Sequence, residues 1–299
     1  MTEDITRSGI TGSTVPRRQL GRYLRDLRKG SRLTALRAAT QLEWTEAKIW
    51  RIETGRTGMR SLDVEVMCKI YGAPPELTTA LMALAKETRA RGWWHAYGDV
   101  IPEGFDLYIG LEEATSHLAV YQSELVPGLL QTEDYARTVI RANKAGVDDA
   151  EIERRVSARM ARQVLLTRVT APTVLDVVLN EAVLRRPVGS AKIIQHQLER
   201  LKKISELPTV SIRVMPFKVG LHPGALSGPF VILRFPLNGT GPTAEPPTVY
   251  IDGLTGALYL DKPHEIDEYA AKFAGMWESA LDEKASQRLI GHVAKELQK

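Results

Sequence analysis

The feature that most constrains this chain is the punctuation of its first hundred residues. Leu20, Leu24 and Leu27 recur at helical spacing, with Arg22, Arg25 and Arg28 between them, until Gly30 stops the run. Thr34 is placed to cap a second helix ending near Leu42, and Glu43–Trp44 break it. Thr45 is placed to cap a third, which Gly55 ends after a narrow apolar side of Ile49 and Ile52. Ser61 is expected to cap a fourth, with Leu62, Val66 and Ile70 as its inner stripe, and Pro74–Pro75 introduce a fifth. Helices this short cannot stand alone, because nucleation is costly and most helical stability comes from packing an apolar face. They must fold against one another, and the expected fold is a mainly α, five-helix domain over residues 17–91.

Charge points the same way. Arg17 to Arg60 carry 12 basic and 4 acidic residues, and residues 1–91 hold 17 Lys/Arg against 10 Asp/Glu. Residues 92–299 hold 23 against 26. A concentrated basic segment beside a near-neutral remainder suits a polyanion-binding module, or a solubilising surface. Short helices two and three, joined by a tight break, match the helix-turn-helix, whose second helix enters the major groove of DNA.

The residues Leu33–Thr34, Ala39, Leu42, Trp44–Thr45, Lys48–Ile49, Arg51–Ile52–Glu53 and Gly55–Arg56 resemble the lambda-repressor-like (XRE) class, most specifically through the string KIWRIETGR at 48–56. The resemblance implies that Glu46, Ala47, Trp50 and Arg51 face the groove. Arg51 suits two-armed reading of guanine, or a phosphate contact. Glu46 suits a cytosine amino group, or simple stabilisation of the helix start; Ala47 suits a thymine methyl, or the absence of a clash. Trp50 suits a sugar or base, or packing on helix two. Lys48, Arg56, Thr34 and Thr45 are implied phosphate contacts, with Arg17, Arg18 and Arg22 as additions. Arg28 and Glu53 are implied to pair helix one with the end of helix three. The sequence departs from the class in two places. Glu43 stands where the class has glycine in the turn, and Ala35–Leu36 where it often has glutamine.

Beyond residue 91 the pattern changes. Helices are expected at about 110–120, 132–142, 149–167, 190–206, 263–281 and 282–297. Strands are expected at Val174–Leu179, Val210–Met215, Phe230–Phe235, Val249–Ile251 and Ala257–Leu260, giving an α+β domain over 92–299 with a small, mostly antiparallel sheet. Asn238 to Pro247 reads as an exposed loop, and the charges of Glu151, Glu153, Arg154, Arg155, Arg159 and Arg162 as a solvated helix face or a contact surface. The stretches RGWWHAYGDVIPEGFDLYIGLE, YQSELVPGLLQTEDYAR, EIERRVSARMARQ, EAVLRRPVG and LTGALYLDKP resemble an actinobacterial regulator family that includes WhiJ, in order and spacing over about 17–290. That resemblance implies control of development or secondary metabolism, and a small BldB-like partner protein.

The functional expectation is a sequence-specific DNA-binding transcriptional regulator, a repressor, whose second domain dimerises and binds a partner or signal. The competing readings are an antitoxin-like, partner-sequestering protein with autoregulatory DNA binding, and a small-molecule-responsive sensor. No enzyme is expected: the histidines lack i, i+4 metal-ligand spacing, no G-x-S-x-G or phosphate-loop motif occurs, and Cys68, the only cysteine, reads as core packing. His222–Pro223–Gly224 reads as a turn, or as the lining of a pocket. No metal, cofactor or membrane contact is expected. Residues 1–16 read as a disordered lead-in without a signal-peptide core, and the location as cytoplasmic and nucleoid-associated.

Overall fold

The computed structural model describes residues 14–89, 92–102, 105–143, 146–236 and 245–297, which divide into two compact units. The first holds 14–96, 106–114 and Glu245; the second holds 97–105, 115–236 and 246–297. The expected lead-in lies outside the described residues up to residue 13. Thr14 to Pro16 already belong to the first helix, with Thr14 and Pro16 buried. The expected boundary at residue 91 also falls on residues outside the description.

In the first unit, α1 (Thr14–Gly30), α2 (Ala35–Gln41), α3 (Glu46–Glu53), α4 (Ser61–Tyr71) and α5 (Pro75–Glu87) surround one core. Leu20 and Leu24 meet Ala38, Ala39, Leu42, Ile49, Ile52, Met67, Leu81 and Ala85 there. Gly72, left-handed at φ 70°, closes α4, and Pro75 opens α5 where a missing N–H costs nothing. Two details differ from the sequence reading. Arg60 rather than Ser61 occupies the cap of α4, and the Ser61 hydroxyl donates to the Met82 carbonyl across to α5 (3.0 Å). The inner stripe of α4 is Val64, Met67, Cys68 and Tyr71, while Leu62 and Val66 stay exposed. Both sets fit a helical period, so α1 and α5, which pack against α4, decided the phase. In α6 (Phe105–Ala114), Tyr108, Ile109 and Leu111 are buried, and the Trp93 indole N–H donates to Glu113 (3.1 Å).

The second unit is built on a six-stranded mixed sheet. Its strands are β1 (His117–Gln122), β2 (Val174–Asn180), β3 (Val210–Met215), β4 (Phe230–Arg234), β5 (Thr248–Ile251) and β6 (Leu258–Leu260), in the order β3-β2-β1-β4-β5-β6. Three ladders are antiparallel, and β1–β2 and β2–β3 are parallel. Parallel neighbours need crossovers. The first runs through α7 (Glu133–Asn143) and α8 (Asp149–Arg162), the second through α9 (Glu181–Arg185) and α10 (Ala191–Ile204). The short α11 (Pro223–Ser227) precedes β4. The paired α12 (Pro263–Ser279) and α13 (Glu283–Glu296) follow β6. On one face Ala119, Tyr121, Val178, Phe230 and Ile232 pack with Phe273 and Met276 of α12.

The central strand was not foreseen. A helix was expected over 110–120, but the helix ends at Ala114 and β1 begins at His117. Leu118 to Tyr121 are all buried, so no alternation marks them as a strand. The charged face expected on α8 is also partly turned inward. Arg162 is buried, its guanidinium over the Phe105 ring at 5.2 Å, and Arg159 donates to the Gln131 side chain (2.8 Å). Burial, with Arg162 nearby, draws the Arg159 guanidinium down to about 10. Among the described residues no helix is long and apolar enough to cross a membrane.

Candidate nucleic-acid interface

The interface is assembled on α2 and α3, and both start with a threonine that closes its own helix. The Thr34 hydroxyl oxygen accepts from the Arg37 amide (3.2 Å), and the Thr45 hydroxyl oxygen from the Lys48 amide (3.2 Å). Each hydroxyl keeps its own proton for an outside acceptor, since a hydroxyl carries one donor besides its lone pairs. Both threonines are exposed, at helix N-termini where unpaired amides favour an anion. The turn between the helices places Glu43 at φ 54°, in the left-handed region that glycine occupies readily.

Along α3, Glu46, Ala47, Trp50 and Arg51 are exposed while Ile49, Ile52 and Glu53 are buried. Positions four apart stack on one helix face, so these four form a single outward patch. Two cations beside it are held by rings. The Lys48 ammonium sits 3.3 Å from the Trp44 ring centroid, and the Arg56 guanidinium lies 4.7 Å from that of Trp50. Trp50 therefore shapes the cationic rim as well as the exposed row. The i, i+4 spacing of Trp44 and Lys48 was the available signal for the first pair; sequence reading did not use it.

Arg28 fixes the attitude of this patch. Its guanidinium donates twice to Glu53 (2.5 and 2.7 Å) and once to the Leu33 carbonyl (2.8 Å). One buried side chain thus ties α1 to the end of α3 and to the residue before the Thr34 cap. Hydrogen bonding to Glu53 raises the Arg28 pKa further. Close packing reinforces the tie, because a Cβ on Gly21 would lie 2.4 Å from the Ile52 carbonyl oxygen. A Cβ at Gly55, which has φ 71°, would lie 2.7 Å from the Arg18 side chain. Tyr71 lies in the same neighbourhood. Burial, then the Glu53 charge, pushes its hydroxyl up to about 12.

The three arginines of α1 stand apart from the exposed row. Arg17 donates to the Thr88 carbonyl (2.8 Å), and burial lowers its pKa. Arg18 is buried and pairs with Glu245 (2.9 Å). Arg22 donates two-armed to the same carboxylate (3.0 and 2.6 Å). Sequence reading gave all three to phosphates and did not foresee Glu245. The stretch 238–247, read as an exposed loop, lies outside the described residues as far as 244, and at Glu245 it is buried. In the second unit, His222 caps α11 and is buried, edge-on to Tyr121 at 5.9 Å and beside Asn180 (3.4 Å).

A family model described as a helix-turn-helix domain matches residues 19–81. A second, described as a domain of unknown function (DUF5753), matches residues 105–292. No curated protein and no solved structure matches the chain.

Proposed function

Because the chain belongs to the DUF5753 family and carries a helix-turn-helix domain that makes it a DNA-binding regulator, we propose that α3 reads an operator in the major groove and that the protein represses transcription from it. The observation that carries this reading is the exposed patch of Glu46, Ala47, Trp50 and Arg51 on a helix whose inner face is fully buried. Arg51 reads a guanine edge; Thr34, Thr45, Lys48 and Arg56 meet the phosphates on either side. A single such module buries little surface, so two copies act on paired half-sites about 34 Å apart. The DUF5753 domain supplies the contact between copies, and it receives the signal or small partner protein that sets DNA affinity. The genes under control are developmental or secondary-metabolic, as the resemblance to WhiJ-type regulators implies.

The test is selection of bound fragments from a genomic library by the purified full-length protein at low ionic strength, followed by footprinting of the enriched sequence. A shared motif with two-fold symmetry is expected. In that motif Arg51→Ala relaxes preference at one base pair by roughly 1–3 kcal/mol, read from competition binding. A folded protein that enriches nothing removes the reading.

A further inference from the structure

We infer that Glu245 is an internal substitute for DNA phosphate, holding Arg22 away from the duplex, with buried Arg18 as its second partner, until a backbone phosphate displaces it from Arg22. The inference rests on the DNA-binding reading above. Three observations carry it. First, both arginines lie at the end of the recognition helix. Gly21, between them, stands where a Cβ would strike the Ile52 and Glu53 carbonyl oxygens, and the Arg18 side chain lies against Gly55, next to Arg56. Their turn of α1 therefore borders the loop proposed to meet the sugar-phosphate chain. Second, the contact has the form an arginine makes with phosphate: two parallel N–H donors on two oxygens of one anion (Arg22 to Glu245, 3.0 and 2.6 Å), with a second arginine on the same group (2.9 Å). Third, the carboxylate is almost wholly withdrawn from water, its side chain 1% exposed, while that of Arg22 is 21% exposed. The solvent-accessible partner is thus Arg22, Arg18 being 7% exposed, and an incoming phosphate reaches Arg22 without first uncovering Glu245.

One carboxylate neutralising two arginines suppresses nonspecific attraction, because that attraction is the sum of phosphate contacts with little contribution from sequence. Binding then requires α3 to find favourable base edges before Arg22 is released to the backbone.

The full-length protein and a short mixed-sequence DNA duplex test this by anisotropy titration across a salt series. Glu245→Gln is expected to tighten binding by about tenfold and to steepen the log–log salt slope by about one unit, near 0.9 for the phosphate that Arg22 newly neutralises. Adding Arg22→Gln to that variant is expected to abolish most of the gain. Glu245→Asp retains the charge and shortens its reach, so it remains informative where Glu245→Gln fails to fold; it is expected to give an intermediate gain. Wild-type binding with unchanged or weaker binding by folded Glu245 variants overturns the inference alone. A wild-type protein that binds no duplex overturns the DNA-binding reading and this inference with it.

Discussion

Glu43 and Tyr71 show single side chains working against the fold that contains them. A left-handed backbone costs a non-glycine residue roughly 1–2 kcal/mol, and glycine's greater freedom when unfolded returns part of that. Glu43→Gly is therefore expected to stabilise the first unit by about 0.5–1 kcal/mol, seen as a higher midpoint in thermal melting, with no change in salt-dependent DNA affinity. The Tyr71 hydroxyl is buried without a hydrogen-bond partner among the described residues. Its folded pKa is raised to about 12 from an ordinary value of 10.0, so the protonated form favours the native state. The stability it contributes is fully present below pH 10 and is lost as pH rises through about 12. Tyr71→Phe is expected to melt at the same temperature as wild type or higher at neutral pH, because an unsatisfied buried hydroxyl is removed. It should also lose part of the alkaline destabilisation; an unaltered alkaline limb would place that titration elsewhere.

At the scale of helices and strands, the Arg28–Glu53 pair decides whether α3 keeps its attitude. Removing one partner strands the other charge in the interior, so Arg28→Leu or Glu53→Leu is expected to cost about 3 kcal/mol or more in urea unfolding. The double replacement should cost much less than the sum of the two, a coupling that a double-mutant cycle measures directly. This pair joins residues 25 apart in the chain and was expected only because the family resemblance implied it, whereas α1 to α5 were legible because Thr34, Thr45, Gly30, Gly55 and Pro75 are local stop and start signals. Other elements left no such local mark. Leu62–Val66–Ile70 and Val64–Met67–Tyr71 are equally periodic, and only neighbouring helices choose between them. β1 is apolar on both faces, so its sequence does not distinguish strand from buried helix. The inward arginines of α8 look like any solvated face until their ring and amide partners arrive from elsewhere. Glu245 lies 223 residues from Arg22, beyond the reach of any spacing argument.

For the molecule as a whole, the distribution of charge sets the form of binding. Thr34, Thr45, Lys48 and Arg56 surround the exposed patch of α3, and under the proposed function the cations among them are expected to give binding a steep ionic-strength dependence. Arg56→Ala is expected to weaken all duplexes alike and to flatten the log–log slope by about one unit, as titration on matched and unmatched DNA would reveal. The first unit also has a history built into its connectivity, since it draws on three separate stretches of chain ending at Glu245. The ribosome makes Arg22 first and adds that carboxylate 223 residues later. At about 5–20 residues per second, roughly ten seconds or more separate the two events. A newborn chain is thus more cationic at this helix than a finished one.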